Sequence, residues 1–171
     1  WEVKTDTTPA VSVGSATFDH HRGNKYTLIA VPNAGSLTEL ATIDDPFNKG
    51  LTTDNARVRV FNAAFNTTPI DVYLTPPSVD IATVSPSFSN VGFKAAVPGS
   101  GDDSANFEGA AYSLRITAAG SKAVLFKAQV TIDKNADWLL MPVPGSVTPG
   151  DMRVLVIKSD GGPALELSNQ P

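Results

Sequence analysis

The stretch that decides the fold is A-R-V-R-V-F-N-A-A-F-N-T-T-P-I-D-V-Y-L, residues 56–74. In its first segment valines alternate with arginines, and in its second Ile70, Val72 and Leu74 alternate with Asp71 and Tyr73. An alternation of period two places apolar side chains on one face of a strand and polar side chains on the other. Both segments are therefore predicted to be half-buried antiparallel strands, joined by a turn that contains a proline.

The same alternation predicts strands along nearly the whole chain. They are residues 91–97, 112–117, 123–132, 138–143 and 152–158 in the C-terminal part, and residues 2–5, 10–18, 26–31 and 37–43 in the N-terminal part. No window of a dozen residues keeps its apolar positions at helical spacing. About seven or eight strands between residues 56 and 158 predict an all-β fold, an immunoglobulin-like antiparallel β-sandwich of two sheets.

The N-terminal part duplicates a later part of the chain. WEVKTD (residues 1–6) matches YSLRIT (112–117), ATFDHHRGNKYTLIAVP (16–32) matches AQVTIDKNADWLLMPVP (128–144), and SLTELATIDD (36–45) matches MRVLVIKSDG (152–161). Because internal repeats define the units of a fold, we expect a tandem repeat whose first repeat is incomplete. Residues 1–45 are the C-terminal half of a first sandwich, residues 46–55 are a linker, and residues 56–171 are a complete sandwich with a C-terminal tail strand.

An incomplete repeat raises a stability problem, because a half sandwich exposes one face of its core and a free sheet edge. The missing strands lie upstream in a precursor, come from another chain by strand exchange, or are replaced by packing on the second domain. The chain starts at Trp1 rather than Met, so we expect an absent upstream segment, a signal peptide, more repeat or both. The tail PALELSNQP (163–171) is an eighth strand paired back, the opening of a linker, or a donor strand for another subunit.

Composition excludes several classes of function. The chain has 171 residues, 42% of them hydrophobic, which is enough for one core and a fragment or for two small cores. Its net charge is -4 and its 13 basic residues are scattered, so a nucleic-acid partner is not expected. It has no cysteine, which excludes disulfides, thiolate catalysis and Cys-ligated zinc. No apolar run reaches the about 18 residues of a transmembrane segment.

The segment at residues 56–74 resembles the opening of DUF4397, a domain of unknown function found in secreted and envelope-associated bacterial proteins. That family typically opens with a strand of the form RVRVVHAS, a short acidic or proline-bearing turn, and a strand of the form VDVYV. Arg57–Ala63 and Ile70–Leu74 fill these positions here. Downstream, YSLRITAAGSKAVL (112–125) resembles the family's tyrosine-led strand, and DWLLMPVPGS (137–146) resembles its strand of the type YTVVAVG.

The resemblance covers residues 56 to about 160 as one domain and residues 1–45 as the back half of another. Asn62 stands where the family usually has a histidine, and residues 99–108 look like an inserted loop. The resemblance implies a β-sandwich in an extracytoplasmic setting, which is extracellular or in the bacterial cell envelope. It implies no reaction.

Two clusters are candidate metal sites. His20 and His21, with Asp19, lie in the predicted turn 19–25, but adjacent residues of a turn point apart and a tight site needs three ligands, so a solvated turn is predicted. In the loop GSGDDSANFE (99–108) the weak calcium candidates are Asp102, Asp103, Asn106 and Glu108. Their spacing fits a calcium loop only in part. A flexible acidic loop is the preferred interpretation, and no metal or cofactor is expected.

No catalytic residue is predicted. Asp71 lies between core-facing residues, so its side chain is predicted to point outward onto a solvated face. The chain has no G-x-S-x-G pattern, and both histidines belong to the incomplete repeat. An enzyme is therefore not expected, and a hydrolase with a site between the repeats is the remaining alternative.

Two patterns concern carbohydrate. Five aromatic residues either stack on sugars as an exposed face or, as is more usual at strand spacing, belong to the core. They are Phe61, Phe65, Tyr73, Phe88 and Phe93. Asn66-Thr67-Thr68 fits the N-glycosylation acceptor pattern, which is usually inert in a bacterial protein.

The sequence predicts a non-enzymatic structural protein, secreted or in the cell envelope (periplasm or cell surface). A filament or surface-layer subunit that assembles by strand complementation between subunits fits the incomplete repeat. We thus expect self-association, as a homo-oligomer or polymer, through residues 1–45. The alternative is an adhesin-like module that binds carbohydrate or another ligand through loops at one end of the sandwich.

Overall fold

The computed structural model describes residues 1–33, 38–46 and 54–170. Within them the regular elements are β-strands and one 3-10 turn at Ile81–Thr83, with no α-helix, so the predicted all-β class is confirmed. The chain divides into two compact units: an N-terminal unit of residues 1–49 with 99–103, and a C-terminal unit of residues 50–98 with 104–171. The predicted linker 46–55 stays a prediction, because most of it lies outside the described residues.

The strands are numbered in chain order. The N-terminal unit contains β1 (Glu2–Lys4), β2 (Ser12–Ser15), β3 (Lys25–Pro32) and β4 (Thr38–Asp45). The C-terminal unit contains β5 (Asn55–Phe61), β6 (Ile70–Thr75), β7 (Phe88–Val91), β8 (Ala96–Val97), β9 (Ala105–Glu108), β10 (Ala110–Ala118), β11 (Val124–Ile132), β12 (Asp137–Pro144), β13 (Met152–Lys158) and β14 (Leu165–Leu167).

The C-terminal unit is a sandwich of two sheets. One sheet has the strand order β11-β10-β6-β7, and the other has the order β14-β13-β12-β5-β8, with β9 also paired to β5. All the pairs are antiparallel except β5 with β12, which run parallel with Val58 beside Trp138 and Val60 beside Leu140. The two strands of the opening motif thus lie in different sheets, β6 beside β10 and β5 beside β12.

The core lies between the two sheets and takes alternate residues from each strand. From the opening motif it includes Val58 and Val60 of β5 and Ile70, Val72 and Leu74 of β6, all buried as the alternation predicts. An aromatic cluster closes one part of it: the Phe107 ring centroid lies 5.8 Å from that of Phe88 and 6.0 Å from that of Tyr112. Burial of these apolar groups is the main source of stability for a sandwich of this size.

Asp71 is buried, so the prediction of a solvated face at this residue is wrong. Its side chain does point away from the core, but it is only 6% exposed. Its carboxylate accepts hydrogen bonds of 2.8 Å from the backbone N–H groups of Asn90 and Gly120. Both partners have positive φ, 52° and 77°. The carboxylate therefore holds two left-handed turn positions, one in β7 where the pairing with β6 is irregular and one in the β10–β11 turn.

Three predicted strand boundaries change. Residues 91–97 are not one strand: β7 ends at Val91 and β8 begins at Ala96, because Lys94 between them has a φ of 65°, which extended backbone cannot adopt. The predicted flexible loop 99–108 ends in β9, which pairs with β5. The predicted strand 10–18 is reduced to β2, since its partner β1 has three residues and offers no longer ladder.

The tail closes two sheet edges of its own unit. β14 pairs antiparallel with β13, the arrangement that the eighth-strand interpretation of this segment describes. Beyond β14, Asn169 Oδ1 accepts from Lys127 N at 2.9 Å, Gln170 N donates to Lys127 O at 2.8 Å, and Gln170 Oε1 accepts from Gln129 N at 3.2 Å. The outer edge of β11 is thereby capped by the tail, a means of protecting an edge strand.

Candidate binding face of the N-terminal unit

The N-terminal unit repeats the strand pairing of β10–β13. β1 pairs antiparallel with β2 and β3 with β4, as β10 pairs with β11 and β12 with β13. The agreement includes an irregularity: the register shifts between Val3 and Lys4 in β1, and between Ile116 and Thr117 in β10. Val3 lies opposite Gly14, and Ile116 lies opposite Phe126. The duplication seen in the sequence is therefore also a duplication of hairpin geometry.

The register of the paired strands shifts the first sequence match, residues 1–6 with 112–117, by two residues. The central match (residues 16–32 with 128–144) has no gap, and extending it makes Ser15 the counterpart of Lys127. Glu2 lies opposite Ser15, and Arg115 lies opposite Lys127. Glu2 thus corresponds to Arg115 rather than to Ser113, and Trp1 corresponds to Leu114.

The last match moves by two residues as well. Tyr26 lies opposite Asp44, and its counterpart Trp138 lies opposite Lys158. Asp44 therefore corresponds to Lys158, whereas the sequence match placed it against Asp160. The connection between the two strands is shorter in the N-terminal unit, and a comparison of sequences alone cannot detect where the ladder resumes after a turn of different length.

Six positions of the N-terminal unit correspond to core positions of the C-terminal unit. The pairs are Trp1 with Leu114, Val3 with Ile116, Phe18 with Val130, His20 with Ile132, Tyr26 with Trp138, and Leu28 with Leu140. All six C-terminal members are buried in the sandwich core. None of the six N-terminal members is buried, and Trp1 is 78% exposed. We call these six N-terminal residues the open face.

The strands that cover these positions in the C-terminal unit are β5 and β6. β5 lies parallel to β12, and β6 lies antiparallel to β10 with Leu74 beside Leu114 and Val72 beside Ile116. In the part of the chain that the structure describes, β1 pairs only with β2, and β3 pairs only with β4. Among the described residues, β1 and β3 therefore each have one strand edge without a neighbouring strand, at the side where β10 and β12 have one.

The two sides of β3 show the same contrast. Ile29 and Val31 are buried, whereas Tyr26 and Leu28 are half-buried and Ala30 is exposed. In β12 the positions that correspond to Tyr26 and Leu28 are buried in the core. The exposed side of β3 is therefore the side on which a sandwich would build its core.

A cavity of about 380 Å³ lies on the open face. Its lining residues are Trp1, Phe18, His20, His21, Asn24, Tyr26 and Leu28. The Phe18 and Tyr26 rings stack with their centroids 5.1 Å apart, and the Tyr26 hydroxyl accepts from His21 N at 2.7 Å. Asn24 Nδ2 donates to Asp44 Oδ1 at 2.8 Å. The cavity combines aromatic walls with polar groups at its rim, which is the composition of many ligand sites.

Gly14 allows the two hairpins to approach each other beside the open face. A Cβ at this position would lie 2.9 Å from the backbone oxygen of Thr38. The counterpart of Gly14 is Phe126, which is fully buried in the core. Where the C-terminal unit fills the space between its sheets with a phenyl ring, the N-terminal unit brings backbone close to backbone.

The candidate metal residues are not brought together. His20 and His21 are exposed in the segment before β3, and both line the cavity. Asp102 and Asp103 are exposed in the β8–β9 connection, while Asn106 and Glu108 are exposed on β9. No group of three or more His, Cys, Asp or Glu residues that could hold a metal ion occurs within residues 1–33, 38–46 and 54–170.

The five aromatic residues do not form one face. Phe61, Tyr73 and Phe88 are buried, Phe93 is half-buried, and Phe65 is 51% exposed. Only Phe88 belongs to the main core cluster. A different group of aromatic residues, Trp1, Phe18 and Tyr26 of the first repeat, lines the cavity. Sequence reasoning missed it because these positions match core positions of the second repeat.

The two asparagines singled out in the opening motif have structural contacts. Asn62 is fully buried, where its side chain donates to Val91 O at 3.0 Å and accepts from Ala64 N at 3.0 Å. Asn66 Nδ2 lies within hydrogen-bond distance of the backbone oxygens of Ser146 (3.1 Å), Thr148 (2.8 Å) and Asp151 (2.9 Å). The amide nitrogen that a glycan would modify is thus occupied in anchoring the β12–β13 connection.

Among the described residues, no helix is of the length and apolarity that a membrane crossing requires. The chain is by fold an all-β protein with a sandwich and a repeated pair of hairpins. It carries sequence of DUF4397, a domain of unknown function, whose family model matches residues 1–73. The resemblance to this family is confirmed over residues 1–73, which include the opening motif up to Tyr73. No curated protein matches the chain.

The matched range contains two groups of strands: the hairpin strands β1–β4, which correspond to β10–β13, and the strands of the opening motif, β5 and part of β6. It contains β1–β4, continues through β5, and ends within β6. The remainder of the predicted complete repeat, residues 74–160, lies outside the match. The family pattern therefore includes the back-half strands of the N-terminal unit and strands of the type that would complete them.

Proposed function

We propose that this chain is a non-enzymatic structural protein of the extracellular space or the bacterial cell envelope, such as a filament or surface-layer subunit. Its repeats join by strand complementation: the back half formed by β1–β4 is completed by strands of a neighbouring subunit. One observation carries the proposal. Six positions that are buried in the core of the C-terminal unit are not buried in the N-terminal unit, and they lie beside the edges of β1 and β3 that have no partner among the described residues.

Two charged side chains of the C-terminal unit support a structural role. Asp71, a carboxylate within the opening motif, is used to hold two backbone turns. Lys122, near the same face, donates to the backbone oxygens of Ile81 and Val84 at 2.6 and 2.7 Å. Both side chains are occupied by contacts within the sandwich. The extracytoplasmic setting rests on the resemblance to the family.

The proposal is tested by the assembly state. In the absence of a donor strand, the apolar side chains of the open face should pack against another copy of the chain. We therefore expect the chain to associate at micromolar concentration in light scattering, and negative-stain images to show particles larger than a monomer. Leu28→Lys, which places a charge on the open face, should reduce association, whereas Thr17→Lys, an exposed neighbour of Phe18, should leave it unchanged. A monomer with residues 1–46 resistant to protease would overturn the proposal.

The cavity on the open face favours a second candidate, an adhesin-like module that binds carbohydrate. Its volume lies at the lower end of the range for small-molecule sites, and it presents three aromatic side chains with asparagine and histidine at the rim. A glycan array followed by titration calorimetry tests this candidate. Binding that is lost in Trp1→Ala and kept in Thr17→Lys would support it, and an array without hits would count against it.

A further inference from the structure

We infer that the occupant of the open face is a strand pair of the β5–β6 type, supplied by the front half of another repeat of this family. This inference rests on the proposed function and specifies the partner. Its basis is the internal comparison: the C-terminal unit contains the same two hairpins, and there β5 and β6 lie beside β12 and β10, whereas β3 and β1 have no such neighbour among the described strands.

The comparison fixes the direction of each incoming strand. β5 runs parallel to β12, so the first incoming strand runs parallel to β3. β6 runs antiparallel to β10, so the second runs antiparallel to β1. Each incoming strand then finds a row of backbone groups on a strand that has one partner, and strand addition of this kind supplies affinity through main-chain hydrogen bonds.

The comparison also fixes the register. Val58 lies beside Trp138 and Val60 beside Leu140, so the corresponding incoming residues lie beside Tyr26 and Leu28. On the other sheet, Leu74 lies beside Leu114 and Val72 beside Ile116, so the incoming counterparts lie beside Trp1 and Val3. The incoming strands thus need branched apolar side chains at alternate positions, because polar side chains there would leave the open face hydrated.

The cavity is the space into which these side chains insert. Of its seven lining residues, Trp1, Phe18, His20, Tyr26 and Leu28 belong to the open face. In the C-terminal unit the corresponding five residues are packed in the core against β5 and β6. The volume that resembles a ligand site is therefore the uncompleted part of a core.

The described residues do not contain a free strand pair that could cover the open face. They contain two back halves, β1–β4 and β10–β13, and one front half, which contains β5 and β6. That front half is already paired to β12 and β10. Moving it to the N-terminal unit of another copy would open the C-terminal unit by the same amount. Completion of every back half thus requires a front half from a further repeat.

The chain's lack of cysteine allows a direct test by disulfide trapping. The probe is a synthetic peptide of residues 54–76, which carries both donor strands of the chain itself. Neighbouring residues of paired strands have Cα atoms within the range that a disulfide spans. Leu28→Cys in the full chain should therefore cross-link to a peptide with Val60→Cys. A peptide with Arg59→Cys, whose side chain points to the opposite side of the strand, should cross-link at least about tenfold more slowly.

Two further measurements locate the bound peptide. Hydrogen exchange should show new protection in β1 and β3, with β10 and β12 unchanged, and Trp1 emission should shift to shorter wavelength as the indole is covered. A peptide in which Val58 and Val60 are both lysine should bind at least about tenfold more weakly, because the corresponding side chains would enter the apolar cavity. Protection confined to β10 and β12 would mean displacement of the chain's own strands and would overturn the inference.

The outcomes separate this inference from the proposed function. Association of the chain without peptide binding to β1 and β3 would leave the structural role standing and refute the β5–β6 partner. Peptide binding in the predicted register by a chain that stays monomeric, with a protected N-terminal unit, would support the partner and refute the assembly role. Binding of a glycan in the cavity that the peptide cannot displace would also refute the partner.

Discussion

Replacement of Asp71 is the sharpest test of how the sandwich is held together. Its carboxylate accepts two hydrogen bonds of 2.8 Å, from Asn90 N and Gly120 N, and the residue is 6% exposed. A hydrogen bond to a charged group contributes about 1.5–3 kcal/mol to stability. In addition, Asn90 has a φ of 52°, a conformation that costs a non-glycine residue about 1–2 kcal/mol and needs support from its surroundings.

From these terms we expect Asp71→Ala to lower the free energy of unfolding by about 3 kcal/mol, since water reaches part of the vacated site. Asp71→Asn keeps one acceptor oxygen but turns an NH₂ group toward a backbone N–H, so we expect a loss of about 2 kcal/mol. With a urea m-value of about 1–3 kcal/mol/M, the first variant should shift the unfolding midpoint by roughly 1–3 M.

The assay is urea unfolding followed by the fluorescence of Trp138, which is buried in the C-terminal unit and becomes exposed on unfolding. Trp1 is exposed in the folded chain and adds little to the transition. Asp133→Asn, at an exposed position after β11, is the matched control for the loss of one negative charge. If Asp71→Ala and Asp133→Asn shift the midpoint equally, the carboxylate does not support the two turns and the reasoning is refuted.

Three further variants test other parts of the sandwich. Asn66→Ala should destabilise the C-terminal unit by about 1–2 kcal/mol and speed hydrogen exchange across residues 145–151, since it removes the amide that bonds three backbone oxygens; unchanged exchange there would contradict this. Asn169→Ala with Gln170→Ala should uncover the edge of β11 and raise aggregation measured by light scattering, with a control at Asp160→Asn. Burial raises the pKa of Tyr112, with a further contribution from the Glu108 carboxylate. The folded state therefore favours the neutral phenol, and stability present below about pH 10 is lost as the pH rises beyond it; Tyr112→Phe should flatten this alkaline loss in thermal melts.

Much of the fold follows from period-two alternation. Valines of β5 and the apolar residues of β6 are buried where the pattern places them, because a strand that borders a core must turn every second side chain inward. β12 and β13 occupy nearly the ranges expected. The parallel pairing of β5 with β12 did not follow from the sequence, since alternation is the same in a parallel and an antiparallel strand.

Asp71 shows the limit of the same reasoning. Alternation correctly placed its side chain on the side away from the core, but exposure depends on what lies on that side. The partners that cover it come from β7 and from the β10–β11 turn, far away in the sequence. A local pattern carries no information about contacts of that range.

The open face was foreseen in part. The duplication predicts that the first repeat lacks a front half, and the structure shows that six residues at the corresponding core positions are not buried. The cavity was missed because Trp1, Phe18 and Tyr26 match core positions, and a core position is normally filled. The two-residue shifts of the outer matches were also beyond the sequence, since they depend on turn lengths.

The tail affects how many donor strand pairs one chain can bind. β14 closes β13, and the amides after it close β11, so this segment saturates the sandwich from which it emerges. The described residues contain one site for an incoming strand pair, the open face, and no unpaired β5–β6 strand pair to fill it. Titration with a donor strand pair should therefore end at one equivalent per chain, and growth of a long array would depend on donors contributed from elsewhere.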